Sequence, residues 1–202
     1  MAVSEGLRKY LNSESARKLL SSDNVTEFLL SSFALIPYDQ FRELVEILVL
    51  KYDDIFEQIN ELIPGLFMGS NSVGNVSLNS DITMTPSQCF QDSTIKSIDS
   101  NMVTTIASRA FSNCTHLTKV ELPHVEILGS GCFSGCDQLT TVDLPKSLKK
   151  IGIKTFNGCV SLQKIHYHGT KQEFTDNVTV APQWDGSFDS SNITIVCTDG
   201  EL

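Results

Sequence analysis

The chain has 202 residues, of which 41 % are apolar and 19 % are charged, a balance typical of a globular protein. Its net charge is −9 and no run of Lys and Arg occurs, so we expect neither nucleic acid nor an anionic membrane surface as a partner. The amino-terminal residues lack the apolar stretch of a signal peptide, and no apolar run is long enough to span a bilayer. We therefore expect neither self-directed secretion nor membrane insertion.

The amino-terminal part of the chain has the hydrophobic periodicity of helices. Two short amphipathic segments occur within residues 4–20, and a third runs over residues 23–36. Pro37 suits the first turn of a longer helix, which ends at Pro64-Gly65. We assign residues 1–64 to a helical module that anchors or oligomerises the protein.

The longest predicted helix carries a heptad pattern, with apolar residues spaced alternately by four and three. Additional apolar residues widen this stripe beyond a two-stranded seam. Two interpretations stay open: the helix packs on the shorter helices of its own chain, or it mediates self-association or docking on a larger assembly. The residues of this docking helix are Phe41, Val45, Leu48, Tyr52, Ile55, Ile59 and Leu62.

Residues 65–80 are rich in Gly, Ser and Asn and are predicted to be a linker. If the two modules are independent, deleting residues 1–66 leaves a soluble, monomeric array. Beyond the linker a repeat begins, with a phenylalanine every 21 to 23 residues. An aliphatic residue precedes most of these positions, and Leu, Val and Leu follow at fixed distances, which is typical of a leucine-rich repeat. The repeated phenylalanines are Phe90, Phe111, Phe133 and Phe156.

The cysteines follow the same repeat. Cys114, Cys136 and Cys159 each come three residues after a repeated phenylalanine, and Cys89 and Cys132 share a second position. Equivalent positions of stacked repeats point the same way, so we interpret these residues as buried free thiols rather than disulfides. No CxxC or CxxH pair favours a zinc site.

Three segments, TIASRAFSNCTHLTKVELP, ILGSGCFSGCDQLTTVDLP and KIGIKTFNGCVSLQKIHYH, carry the full pattern. They resemble the BspA-like leucine-rich repeats, with their I-G-x-x-A-F-x-x-C-x-x-L-x-x-V-x-L-P signature, over about residues 81–200. The resemblance implies a short β-solenoid with parallel strands, which together with the predicted N-terminal helical bundle makes an α+β fold of two modules. Within it, residues 81–168 are the repeats and residues 169–202 are a C-terminal cap.

In this family the short strands line a concave sheet whose outward side chains meet partners. The carboxylates predicted in one column repel each other across neighbouring strands. Three interpretations stay open: a solvated face neutralised by lysines, a partner surface, or a calcium site. The predicted columns are Ser97, Lys119, Thr141 and Lys164, and beside them Asp99, Glu121, Asp143 and His166.

Nothing in the sequence predicts catalysis. His166 and His168 lie two apart on one strand, but neither has a nucleophile in a recognisable motif nearby. We expect a non-enzymatic structural or protein-binding protein without a cofactor, whose partners are other proteins, including itself through the helices. The resemblance to repeats of gut bacterial and bacteriophage proteins favours a virion component assembled in the cytoplasm. The alternative is an intracellular, cytoplasmic adaptor of a bacterium or protozoan.

Overall fold

The structure, a computed structural model, describes residues 4–14, 25–51, 61–186 and 193–202. A group of amino-terminal helices precedes a stack of short parallel strands. One hydrophobic core extends through the helices and the stack. Among the described residues, no helix has the length and apolarity that a membrane crossing needs. The predicted α+β architecture of helices followed by a parallel β-solenoid is confirmed.

The amino-terminal helices are α1 (Glu5–Leu11), α2 (Val25–Leu35) and α3 (Tyr38–Lys51). Ser4 caps α1, because its side-chain oxygen accepts a hydrogen bond from the Leu7 backbone N–H at 3.3 Å. Pro37 precedes α3, where its carbonyl accepts the first helical bond from Phe41 at 2.9 Å. Helices α1 and α2 both contact α3, so the three form a small bundle.

The described part of the docking helix lies in the core of its own chain. Phe41, Val45 and Leu48 of α3 are each less than a tenth exposed. Leu62 is equally buried, but it lies in residues 61–63, which are not helical, so the predicted helix does not continue to Pro64. For these four side chains, the burial agrees with the first interpretation of the heptad pattern, packing within the chain. They are therefore inaccessible to a second chain. Tyr52, Ile55 and Ile59 lie outside the described residues.

The rest of the chain consists of twelve short strands and one further helix, α4 (Lys171–Asn177), among the described residues. Most strands have only two to four residues, which is typical of a solenoid coil rather than of an open sheet. The strands are β1 (Asn75–Ser77), β2 (Met84–Thr85), β3 (Ser97–Asp99), β4 (Thr105–Ile106), β5 (Lys119–Glu121), β6 (Ile127–Leu128), β7 (Thr141–Leu144), β8 (Lys150–Ile151), β9 (Lys164–Tyr167), β10 (Thr179–Val180), β11 (Thr194–Cys197) and β12 (Gly200–Glu201).

Alternate strands form two sheets. The larger sheet has the order β1-β3-β5-β7-β9-β11-β12, and the smaller has the order β10-β8-β6-β4-β2. All neighbours pair in parallel except the terminal hairpin of β11 and β12. Each coil therefore contributes one strand to each sheet, and the side chains between the sheets form the core.

A stack of phenylalanine rings forms part of this core. Phe90, Phe111, Phe133 and Phe156 are almost completely buried, and neighbouring rings lie nearly parallel with centroids 5.2 to 5.7 Å apart. Trp184 closes the carboxyl end of the stack, edge-on to Phe156 at 6.0 Å. The repeated phenylalanine thus fills the same position in successive coils.

Residues 65–80, predicted to be a linker, instead form a coil of the solenoid. Phe67 stacks on Phe90 at 5.2 Å, and the Phe67 N–H donates to the Cys89 carbonyl at 2.8 Å. Strand β1 lies in the same segment and pairs in parallel with β3. The abundance of Gly, Ser and Asn here has a conformational cause: Gly65 and Gly69 flank Phe67 with φ of 72° and 67°.

Close approach between coils explains a second feature of the repeat. A Cβ atom added to Gly152 would lie 2.6 Å from the Ser130 backbone nitrogen, and one added to Gly129 would lie 2.7 Å from the backbone of Ala107 and Ser108. The Gly129 N–H donates to the Ile106 carbonyl and the Gly152 N–H to the Leu128 carbonyl, both at 2.8 Å. Backbone packing therefore favours glycine after the aliphatic residue of the repeat.

The repeated cysteines are free, buried and hydrogen-bonded. Each thiol lies near the carbonyl oxygen of the phenylalanine one coil earlier: Cys114 to Phe90 at 3.0 Å, Cys136 to Phe111 and Cys159 to Phe133 at 3.1 Å. The thiol can donate to this carbonyl, which also accepts a hydrogen bond from the backbone N–H three residues later. In the preceding coil, Ser93 takes the cysteine position and contacts Cys114 through its hydroxyl at 3.7 Å.

We expect these thiols to react slowly with alkylating reagents at pH 8. Burial raises the pKa of Cys114 and of Cys159 to about 12, so little of the reactive thiolate forms. The measurement is the labelling rate of each cysteine by mass spectrometry, native and in urea. A Val160→Cys variant provides the control, because Val160 is 80 % exposed and adjacent to Cys159. Native labelling of Cys159 as fast as that of the introduced cysteine would contradict its burial.

The carboxyl-terminal segment 169–202 closes the array. Thr170 and Glu173 form a capping box at the start of α4, and Phe174 packs edge-on against Tyr167 at 5.1 Å. Strand β10 then extends the smaller sheet and β11 the larger one. The sequence predicts that Phe188 also helps to close this end, and Phe188 lies outside the described residues.

Candidate interaction surface

The outward side chains of the larger sheet form two columns, which we call the strand face. The parallel register aligns Ser97 with Lys119 and Thr141, and the next pair, Val142 with Ile165, places Lys164 beside Thr141. The same register aligns Asp99 with Glu121, Asp143 and His166. All eight predicted residues therefore occupy this one face.

Along each strand, residues of the strand face alternate with residues of the core. In β5 the middle residue, Val120, is buried while its neighbours Lys119 and Glu121 are exposed, and β9 has the same pattern around Ile165. A period of two is what places one set of side chains in the core and the other in solvent. The exposed side chains can therefore vary without a loss of packing.

Ion pairs neutralise part of the strand face. Lys119 pairs with Glu121 on the same strand, and Lys164 Nζ lies 2.6 Å from Glu201 Oε1 of β12. His168 Nε2 lies 3.5 Å from Asp143 Oδ1. The Asp99 carboxylate makes no ion pair with any residue that the structure describes. Neutralisation by lysines is thus incomplete at the amino-terminal end of the acidic column.

The calcium interpretation gains no support from the geometry. Within the ranges described, no three His, Cys, Asp or Glu side chains converge in a group that could hold a metal ion. Calcium takes six to eight oxygen ligands, and a column of carboxylates on separate strands does not enclose that number. The two interpretations that stay open are the solvated face and the partner surface.

The carboxylates act on Lys119 from several strands. Its hydrogen bond to Glu121 and the charge of Glu121 raise the pKa of Lys119, and the charges of Asp143 and Asp99 add smaller effects in the same direction. Glu121 contributes most because it is the hydrogen-bonded partner on the same strand. The lysine therefore reports the negative potential of the strand face.

We expect Glu121→Gln to lower the pKa of Lys119 toward the ordinary lysine value, because its hydrogen-bonded anion is lost. Asp99→Asn should lower it less. The measurement is an NMR pH titration of the Lys119 side chain, with Asp81→Asn as the control, since Asp81 lies outside the strand face. An equal shift in all three variants would show that net charge, and not the ion pair, sets the pKa.

A groove borders the strand face where strands β3, β5 and β7 end. It has a volume of about 490 Å³ and is lined partly by the acidic column, Asp99, Glu121 and Asp143. Its other walls come from the turns after the strands, and the predicted columns do not include them. Their only sequence signal is the Leu-Pro pair that ends the repeat. These further lining residues are Asn101, Leu122, Pro123, Pro145, Lys146 and His168.

The strand face also extends beyond the predicted columns. Asn75 of β1 aligns with Ser97 and its side-chain oxygen accepts a hydrogen bond from the Ser97 hydroxyl at 2.9 Å. Thr194 of β11 aligns with Lys164. Asn75 lies 22 residues before Ser97, so extending the repeat upstream would have found it. Its position in the supposed linker concealed it.

Comparison with solved structures gives bacterial leucine-rich repeat proteins. A T. pallidum leucine rich repeat protein is 28 % identical, with a TM-score of 0.52, over 54 % of this chain and 52 % of that one. A leucine-rich repeat protein from Bacteroides ovatus ATCC 8483 is 18 % identical, with a TM-score of 0.42, over 68 % of this chain and 49 % of that one.

A leucine rich cell surface protein from Faecalibacterium prausnitzii A2-165 is 20 % identical, with a TM-score of 0.41, over 53 % of this chain and 35 % of that one. The chain thus spans about half the length, or less, of these proteins. No curated protein matches the sequence.

The sequence profile of one repeat family covers most of the chain. The family described as BspA type Leucine rich repeat region matches residues 36–163 in six copies. The matched region includes the stacked phenylalanines Phe67, Phe90, Phe111, Phe133 and Phe156, together with the strands of both sheets between them. A protein-interaction role is compatible with this repeat architecture. The chain belongs to the BspA-type leucine-rich repeat family.

Proposed function

We propose that this chain is a non-enzymatic protein-binding protein and that the strand face is its binding surface. The observation that carries the proposal is the register of the larger sheet, which places eight polar or charged side chains in two aligned columns. None of them belongs to the hydrophobic core, so their identity is free to serve recognition.

The solenoid supplies a rigid support for such a surface. Strands β3, β5, β7 and β9, which carry the two columns, each have parallel neighbours on both sides, and stacked phenylalanine rings join the coils in the core. Side chains on a rigid sheet lose less conformational freedom on binding than side chains on a mobile loop. Repeat arrays use extended surfaces of this kind to meet protein partners.

Site-specific photocrosslinking tests the proposal. A photoreactive amino acid at Thr141 on the strand face should give crosslinked adducts with a partner in extracts of the source organism. The same residue at Thr105 provides a matched control, since Thr105 is a partly exposed threonine on the outer side of the smaller sheet. Adducts of equal yield at both positions, or at Thr105 alone, would contradict the strand face as the binding surface.

The biological setting follows from the family resemblance and stays a prediction. We propose a bacteriophage virion component, in which the helical amino terminus anchors the protein and the repeats present the strand face. The alternative is an intracellular adaptor of a bacterium or protozoan. Neighbouring genes for capsid, portal or tail proteins would favour the virion, and their absence around several homologous genes would favour the adaptor.

Self-association through the helices also stays a prediction. Four of the seven predicted docking residues are buried in their own chain, so a dimer would have to use residues other than these four. Light scattering of the full-length chain decides the point. A trimer or larger species would support an assembly role for the helices, whereas a monomer would leave the strand face as the surface to study.

A further inference from the structure

The groove at the end of the strand face has two chemically different parts. Pro123 and Pro145 contribute apolar surface to it, whereas Leu122, which also lines it, is only 3 % exposed. Asp99, Glu121 and Asp143 contribute three carboxylates from three neighbouring strands. An apolar floor beside a row of like charges is complementary to a segment that carries apolar and basic side chains next to each other.

The two basic residues that line the groove do not cancel this complementarity. Lys146 Nζ lies 3.1 Å from Glu173 Oε1, so its charge is already paired with a carboxylate outside the groove. His168 contacts Asp143 at 3.5 Å and is mostly exposed. Asp99, at the other end of the row, has no ion pair within the described part of the chain.

The potential of the row reaches beyond the groove. The pKa of Lys119 is raised by Glu121 first, and Asp143 and Asp99 contribute although they lie on neighbouring strands. A lysine or arginine brought by a partner would experience the same three carboxylates. Glu121 is already paired with Lys119, and Asp143 lies near His168, but Asp99 has no ion pair with a described residue. At Asp99 the basic side chain would therefore add an interaction rather than replace one.

We propose that this groove docks a segment of a partner protein that presents Lys or Arg beside apolar side chains. The inference rests on the proposed function, because it specifies which part of the strand face makes the contact and with what chemistry. The basic side chain lies along the row of carboxylates, and its apolar neighbours cover Pro123 and Pro145. The net charge of −9 further attracts a basic partner at long range.

Selection from a displayed library of random twelve-residue peptides tests the inference on the purified full-length chain. Peptides are selected on the wild type and compared with the triple variant Asp99→Asn/Glu121→Gln/Asp143→Asn. A matched control, Glu61→Gln/Asp81→Asn/Asp176→Asn, changes the net charge by the same amount at exposed positions outside the groove. Circular dichroism confirms that all three proteins are folded before the selection.

We expect the selected peptides to be enriched in Lys or Arg next to Leu, Ile, Phe or Pro. Their affinity should fall on the order of tenfold in the groove variant, fall with added salt, and stay unchanged in the control. Peptides without basic residues, or equal binding to the groove variant, overturn the inference.

The two proposals fail in different ways. If selected peptides bind the groove variant normally but lose binding in Thr141→Arg, docking uses the strand face outside the groove, and only the present inference fails. If no selected peptide depends on either set of residues, the strand face is not the binding surface. That result overturns the proposed function as well.

Discussion

Replacing Phe111 by alanine is expected to lower the free energy of unfolding by about 3–5 kcal/mol. Phe111 is completely buried and stacks between Phe90 at 5.2 Å and Phe133 at 5.5 Å. Because both neighbours belong to other coils, the lost ring leaves a cavity between coils that a local adjustment cannot fill. Domains of this size are stable by only about 5–15 kcal/mol, so the variant loses a large share of its stability.

Phe33→Ala is the matched control for this prediction, since it removes the same atoms from a ring that is 38 % exposed. Phe33 contacts Phe41 and Tyr38 but lies at the margin of the helical module. Urea unfolding, followed by circular dichroism, measures both variants. A loss in Phe111→Ala no larger than that in Phe33→Ala would mean that the ring stack is not a main source of stability.

The repeat could be predicted from the sequence because its period is visible in single positions. Phe111, Phe133 and Phe156 recur with cysteines three residues later, and only a stacked scaffold requires the same residues at the same phase. The phase also determined which side chains point outward, since strand residues alternate between core and solvent. The two outward columns follow from those facts alone.

The coil around Phe67 is not predicted, because the Gly-, Ser- and Asn-rich composition of residues 65–80 indicates a linker and hides the repeat spacing. Gly65 and Gly69 are typical of a linker in composition. They nevertheless flank Phe67 at the same spacing at which Gly131 and Gly135 flank Phe133. Both glycines of each pair have positive φ, so they belong to the turn of the repeat. Phe67 lies 23 residues before Phe90, within the period of the array, and that spacing was the available signal.

The docking helix shows a limit of a different kind. A heptad pattern predicts that one side of a helix is covered, but it does not say by what. Helices α1 and α2 contact α3, and its Arg42 and Glu46 side chains bond to the Gly69 carbonyl and the Asn71 N–H of the first coil. These elements meet only after the chain has folded. Sequence periodicity could therefore identify the buried side of α3 but not its neighbours.

The groove could not be predicted for a related reason. Its walls come from turns after three strands, and their directions depend on how each coil leaves the sheet. Pro123 and Pro145 are visible as the end of the repeat, yet nothing in the sequence shows that they lie beside Asp99 and Glu121. The repeat period thus predicts which side chains lie next to each other on the sheet. The groove beside them becomes visible only in the folded structure.

Deleting residues 1–64 is expected to abolish cooperative folding of the remaining chain. The helices and the first coil share one hydrophobic core, which includes Phe41, Leu66 and Phe67. Leu66 and Phe67 are almost completely buried, and each costs about 1.5–3 kcal/mol when exposed to water. A repeat array also needs a capping element at its end, and here the helices provide it. The truncated chain should therefore aggregate or lack a sharp unfolding transition.

A point variant tests the same coupling in the full-length chain. Arg42 Nη2 donates to the Gly69 carbonyl at 2.6 Å, so Arg42→Ala removes a contact between helix and solenoid. We expect the free energy of unfolding to fall by about 1–3 kcal/mol, because the variant removes the charged donor that bonds to the Gly69 carbonyl. Trp184, the single tryptophan, contacts Phe156 at the opposite end of the ring stack. In urea unfolding of Arg42→Ala, Trp184 fluorescence should show the same shift of the transition midpoint as circular dichroism, since the whole chain unfolds together. An unshifted Trp184 transition, with a soluble and cooperatively folded truncated chain, would instead show that the helices and the repeats are independent modules.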